Sequence, residues 1–455
     1  MIHSRRGLIA LLATTATMIT LAVPASASPF PSGDAPAAWV VTESEGGTPV
    51  APDTAPQTNS NPPDHHLPSA TTAALLPEDN LKQECRTHHA TAASTQEGWM
   101  KDRFNRCFIG HREVQLRCQG CSTSIASVEF DYTLVGIAQN GTRQIDFYLT
   151  FDDWKALGGA ERETTPMRVT LSGCGSFINC NPILGELTQP LGTWRTTGGF
   201  HLTMTSANGT GIGDEFIARA FTTMSMAITP AQPNITPWID NDMTKAEVRF
   251  DSAGARAGQH NGTVFSDFIP TFDLVKLARA ENDEDSVTES IQHIDDALHR
   301  PERTFPSFPG KSVPGKYRPE LGANQRPLHR MVDPPNQTRN RENANLVCDD
   351  VWGEDAHAPN LNCDEYPFAS TFEGAYMGST VSTGNPDGWQ TWNGSARIIG
   401  EVDNQRSGQR YLNTRFYQAN RILHTDFRIG RQHARGSRER HPDQRWAVLR
   451  PGYGL

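Results

Sequence analysis

Three common catalytic signatures are missing from this 455-residue chain. It has no Gly-x-Ser-x-Gly elbow, no His-Glu-x-x-His helix and no Gly-x-x-x-x-Gly-Lys-Ser/Thr loop, so serine-hydrolase, zincin and P-loop readings have no residue to start from. Beyond residue 27 no apolar run approaches the roughly 20 residues that a helix needs to cross a bilayer, which excludes a later helical span. Cys118-Gln119-Gly120-Cys121 would be half of a zinc site, but no second Cys or His pair stands at matching spacing. Apolar residues make up only 36% of the chain, prolines number 31 and the mean hydropathy is −0.53. Much of the length is therefore connecting segment, with enough left for two or three domains.

What is present begins with an export signal. Basic Ser4-Arg5-Arg6, an apolar core from Leu8 to Val23 and the small-residue exit Ala25-Ser26-Ala27 form the three parts of a cleavable signal peptide over residues 1–27, which predicts a secreted, extracellular protein. The paired arginines fit either an ordinary basic region or twin-arginine export. The eight cysteines, at 85, 107, 118, 121, 174, 180, 348 and 363, agree with export, because outside the cytoplasm an even number reads as disulfides. Cys348 and Cys363 stand apart from the other six and bracket the loop before Asp364, so they are expected to pair and to anchor that residue.

The formal charge of −10, or −12 once Arg5 and Arg6 are removed, suits a polyanionic partner poorly. The C-terminal stretch 431–455 offsets it locally. There Arg431, Arg435, Arg438, Arg440, Arg445 and Arg450 face only Glu439 and Asp443. Such a tail can gather phosphate by counterion release, and it can equally be a solvated terminus.

Residues 28–80, rich in Pro, Ala, Thr and Ser without an apolar period, read as a disordered leader. From 81 to 240 alternation takes over, in Ser127–Leu134, Ile145–Leu149, Met167–Leu171 and Phe200–Met204, and with six cysteines predicts an extracellular antiparallel sandwich or barrel. Residues 241–320 read as a possible last strand, an acidic helix and a proline-rich linker. Ser286 and Glu289 make a capping-box pattern ahead of Ile291, Ile294 and Leu298, and Pro301, Pro306, Pro309, Pro314 and Pro319 mark a stiff connection. Farther on, 394–402 reads as a strand leading to Asp403-Asn404. A helix follows, with Leu412, Phe416, Ala419 and Leu423 on one face. The fold class is α+β.

The chemistry gathers around Asp364-Glu365-Tyr366-Pro367, with Glu373-Gly374 a few residues along and Asp403-Asn404 beyond. Adjacent carboxylates with a third nearby can hold a hard divalent cation and leave one acid to deprotonate water. The same residues also fit a turn before proline, and Asp403-Asn404 also fit a helix cap. The order and spacing of these elements, together with Pro327-Leu328, Arg339-Asn340-Arg341, Cys348, Gly408 and the closing Asp426–Ile429, resemble the NucA/NucB family of secreted deoxyribonucleases over about residues 320–430. The resemblance implies a small ββα-metal domain over 321–430, an Mg or Mn cofactor, Asp364, Glu365 and Glu373 as catalytic candidates, and Asp364, Glu373 and Asn404 as metal ligands. Glu365 is a further candidate ligand. Where compact members have Asp-Asn-Arg-Gly, this chain has Asp403-Asn404-Gln405-Arg406-Ser407-Gly408, so the arginine is displaced.

Arg406 and Arg410, beside Asn404, could bind backbone phosphates, or simply be solvated. His329, His357 and His424 carry no catalytic assignment. Together these features predict a secreted, metal-dependent, largely sequence-nonspecific endodeoxyribonuclease acting on extracellular DNA. Two other readings stay open: an antibacterial nuclease toxin with an immunity or inhibitor protein as partner, and a non-enzymatic glycan- or cell-wall-binding protein with structural calcium.

Overall fold

The computed structural model describes residues 37–45, 77–118, 124–158, 165–173, 175–179, 183–230, 234–241, 243–254, 261–317, 326–424 and 445–448. The signal peptide, most of the 28–80 leader, Cys121, Cys174, Cys180, Pro319, Asp426–Ile429 and most of the 431–455 tail lie outside the described residues.

Each alternating segment lies inside a longer strand: Ser124–Ala138, Gln144–Leu157, Pro166–Ser172 and Gly199–Ser206. These belong to two sheets. The eight-stranded sheet runs in the order Ile235–Thr236, Ala37–Glu45, Asn105–Cys118, Ser124–Ala138, Gln144–Leu157, Gly199–Ser206 and Ile178–Asn179, with Trp99–Met100 paired to one side. The six-stranded sheet runs Gly262–Phe265, Lys245–Asp251, Ala218–Ile228, Pro166–Ser172 and Ile183–Pro190, with Trp238–Asp240 alongside. Phe130, Tyr132 and Leu149 of the first meet Val169, Met226 and Val248 of the second in one core.

Two boundaries differ from expectation. Ala37–Glu45 falls within the supposed leader yet pairs antiparallel with Asn105–Cys118, because its Ala-Ala-Trp-Val-Val run can bury Trp39 in the core. Lys245–Asp251 and Gly262–Phe265 carry the second sheet beyond residue 240. A disulfide between Cys85 and Cys107 ties the Pro77–Thr87 helix to the first sheet.

The proline-rich stretch is a packed strap rather than an extended linker. Lys311 Nζ donates to Thr304 O, Thr304 Oγ1 and Pro306 O at 3.1, 2.7 and 2.9 Å, Phe305 bridges to Ala396, and the Tyr366 hydroxyl donates to Pro314 O at 3.2 Å. Burial without a carboxylate partner pulls the Lys311 ammonium down to about 7. The Leu274–Ala280 and Thr288–His299 helices likewise join the C-terminal core, where Phe272, Ile291, Ile294 and Leu298 meet Leu328, Tyr366, Leu412 and Phe416.

In that unit the Pro334–Trp352 helix is joined by the Cys348–Cys363 disulfide to the strand Leu361–Tyr366, which pairs antiparallel with Ser395–Gly400. A helix begins at once with Glu401–Gln405 and continues with π geometry over Arg406–Gln418. It starts earlier than the sequence predicts, so Asp403 and Asn404 sit in its first turn. Leu412 and Phe416 are buried as anticipated, while Ala419 and Leu423 follow its end. Part of the C-terminal stretch, Arg445–Val448, is a strand between Thr271–Phe272 and Leu328–His329.

The two units meet at Arg421. Its guanidinium is ion-paired with Asp251 and donates to Asn140 Oδ1 at 2.8 Å, while Arg249 and Arg103 donate to the Arg421 carbonyl at 2.7 and 3.2 Å. Arg421, Arg249 and Asp251 are fully buried, and the Asp251 carboxyl is held below its ordinary value by the two guanidinium groups against the opposing effect of burial. Among the described residues no helix is long and apolar enough to cross a membrane.

Candidate active site

A cleft of about 590 Å³ opens between the Pro334–Trp352 helix, the strand Leu361–Tyr366 and the helix that starts at Glu401. Asp364, Glu365 and Asn404 all line it. Asp364 stands opposite Arg397 in the two-stranded ribbon, next to the disulfide-anchored Cys363, so its backbone is fixed from both sides. Its side chain is buried, and Oδ2 lies 2.7 Å from His293 Nδ1. Glu365 Oε1 accepts the Ala369 N–H at 3.1 Å. Burial, with the neighbouring Asp364 charge adding to it, pushes the Glu365 carboxyl up to about 8, against the pull of Arg341.

Glu373 is not brought to the cleft wall. Oε1 lies 2.8 Å from His329 Nδ1 and Oε2 accepts the His329 N–H at 2.9 Å, which commits both oxygens elsewhere. The glycine after it has a steric reason: a Cβ on Gly374 would stand 2.3 Å from Asn340 Nδ2. Buried Asn340 needs that approach, since it donates to Ala369 O and Thr371 O at 2.8 and 3.1 Å and accepts the Tyr376 and Met377 N–H groups, both at 2.9 Å. The Glu-Gly pair thus shapes the loop that follows the acids.

Arg406 and Arg410 are also turned away. Arg406 Nε donates to Asp283 Oδ2 at 2.6 Å, and Arg410 and Arg415 both donate to Glu281. Hydrogen bonds from Tyr411, Ser286 and Arg406 hold the Asp283 carboxyl down at about 2. The cleft's own cations are Arg341 and Arg330. Arg330 bonds Ile422 O and lies over the Tyr417 ring, 4.5 Å from its centroid. His424 Nδ1 accepts the Val332 N–H and His357 pairs with Asp349 at 3.0 Å, so neither reaches the acids.

Sequence reasoning missed His293. Its signal was available, because Ser290, His293 and Ala297 share the buried face of a helix whose other inward residues are Ile291, Ile294 and Leu298. A histidine there needs partners for both ring nitrogens, and Nε2 has Ser395 Oγ at 2.8 Å. The Ser286/Glu289 capping box does not form. Ser286 Oγ donates to Asp283, Glu289 Oε2 accepts the Gly400 N–H at 2.6 Å, and the helix's first N–H groups are capped from a distance by Asp403.

Among the described residues no cluster of three or more His, Cys, Asp and Glu side chains stands in metal-ligating geometry. The cleft does offer hard oxygen donors, carboxylates and amides, and burial together with the neighbouring Asp364 charge raises Glu365, a cost that a divalent cation would relieve; on that count the residues fit Mg or Mn. No curated protein and no solved structure matches the chain. Residues 319–429, about a quarter of the chain and the segment that supplies Asp364, Glu365 and Asn404, match the family model of the deoxyribonucleases NucA/NucB.

Proposed function

We propose that the C-terminal unit hydrolyses phosphodiester bonds of DNA with a divalent metal, and that the protein is an exported, largely sequence-nonspecific endodeoxyribonuclease. The observation that carries this reading is the convergence of Asp364, Glu365 and Asn404 on one cleft inside the segment that matches a DNase family. Glu365 and Asn404 would hold the metal. When bound, Mg or Mn supplies Lewis-acid charge to the scissile phosphate. Asp364 accepts the proton of the water whose oxygen attacks phosphorus as the P–O3′ bond breaks. Arg341, exposed at the cleft, would gather a flanking phosphate. Glu373 serves the site through His329 and the loop it shapes, and the antiparallel pair of strands with a helix directly after it supports the ββα-metal reading that the resemblance implies.

Plasmid nicking by the purified protein with Mg or Mn, beside an EDTA control, tests the reading. Asp364→Ala and Asp364→Asn are expected to lower kcat by at least about 100-fold, the usual scale for losing a general base. Asp364→Asn retains an acceptor for His293, so its melting should stay close to that of the wild type. Absence of metal-dependent nicking in the wild-type protein would refute the proposal.

A further inference from the structure

We propose that His293 is the positioning residue for Asp364, brought against its carboxylate by the Thr288–His299 helix from outside the family-matched segment; this rests on the nuclease reading above. His293 is fully buried and both ring nitrogens are committed, Nδ1 to Asp364 Oδ2 at 2.7 Å and Nε2 to Ser395 Oγ at 2.8 Å. A carboxylate only accepts, so Nδ1 carries the proton, while Nε2 and the Ser395 hydroxyl share the second hydrogen bond. Asp364 and Ser395 lie on the two paired strands, where Ser395 stands opposite Tyr366. One imidazole therefore ties the helix to both strands and holds the Asp364 carboxylate in a single orientation. Oδ2 is occupied, and Oδ1 has no hydrogen bond from any described residue, which makes it the oxygen left to take a proton from water.

A second set of contacts fixes the same helix. Asp403, the residue before Asn404, accepts from the Glu289 and Ser290 N–H groups at 2.9 and 3.0 Å and from the Ser290 hydroxyl at 2.5 Å. Glu289 returns a bond to Gly400 N–H at 2.6 Å. The helix is thus held at its first turn by the neighbour of one cleft residue, and one turn later it holds another. Asp364 and Asn404 are set relative to each other through a helix that the family match does not include.

The test uses the full chain with H293A, H293N and S395A. H293N keeps a side-chain N–H near the place of Nδ1. Supporting partners of this kind are worth about 10- to 100-fold, so H293A is expected to lose that much kcat with KM for DNA nearly unchanged, H293N to recover most of it, and S395A to lose severalfold. In metal-free protein, proton NMR should show a downfield imidazole N–H resonance that moves upfield in D364N and is absent in H293A. A folded H293A with wild-type kcat overturns the proposal, as does an H293N as inactive as H293A, or a wild type lacking the resonance. Should H293A fail to fold, S395A decides, since unchanged kcat there means the ring's orientation does not matter. Wild-type protein that nicks no DNA refutes the nuclease reading instead, while the resonance still reports whether the His293–Asp364 pair exists.

Discussion

At the scale of single residues the cleft is a place where two carboxylates stand next to each other in the chain, Asp364 bonded to His293 and Glu365 raised despite Arg341. The Glu365 carboxyl has the consequence that can be measured. Its ordinary value of 4.5 rises to about 8 in the fold, so between those values the folded state binds more protons than the unfolded one. Stability at this site is therefore highest at low pH and falls as pH rises from about 4.5 through 8. Glu365→Gln removes that dependence. In EDTA, urea unfolding at a series of pH values should show the variant gaining on the wild type as pH increases, and a constant difference would mean that the carboxyl is not raised. Added Mg at pH 8 should then stabilise wild type more than Glu365→Gln, since the ion favours the ionised carboxylate. Asp364 and Glu365 were legible in the sequence because a carboxylate pair next to a cysteine and a proline is a local pattern. His293 was not, since its chemistry depends on a residue 71 positions away.

At the scale of elements, the strands Ser124–Ala138, Gln144–Leu157, Pro166–Ser172 and Gly199–Ser206 were legible in the period-two alternation of their central residues. The Thr288–His299 helix was legible in its apolar spacing but not in its cap, because the carboxylate that completes its N-terminus comes from Asp403, 113 residues distant from Ser290. The same non-local logic changes the reading of the arginines beside Asn404. Glu281 and Asp283, just after the Leu274–Ala280 helix, occupy the guanidinium groups of Arg406, Arg410 and Arg415, taking positions that phosphate oxygens would otherwise compete for. Partly exposed pairs of this kind contribute only roughly 0–1 kcal/mol to stability. Glu281→Gln should therefore leave the melting temperature nearly unchanged while releasing Arg410 and Arg415. The expected result is tighter DNA binding at low salt and a slope of log K against log salt steeper by up to about 2, close to 0.9 per added phosphate contact. Identical salt slopes for variant and wild type would show that these arginines do not face the nucleic acid.

At the scale of the whole molecule the family-matched segment shares its core with residues that precede it. Local patterns in residues 319–429 identified the nuclease-like site, yet no local pattern shows that its core is shared, since burial is settled by which elements meet and not by their own periodicity. Phe272, Ile291, Ile294 and Leu298 come from before that segment and close the core around Leu328, Tyr366, Leu412 and Phe416. At about 1.5–3 kcal/mol for each buried side chain, removing those four forfeits roughly 6–12 kcal/mol. A typical domain has only about 5–15 kcal/mol in hand. Residues 319–429 produced alone are accordingly expected to show no cooperative thermal transition and no His293–Asp364 pair. A chain that starts near residue 270 restores both the four side chains and the helix that carries His293, and should melt cooperatively in calorimetry. The core and the catalytic orientation are then regained together, because one helix supplies both; cooperative melting of residues 319–429 by themselves would break that link and show that the upstream helices are docked on a unit already complete.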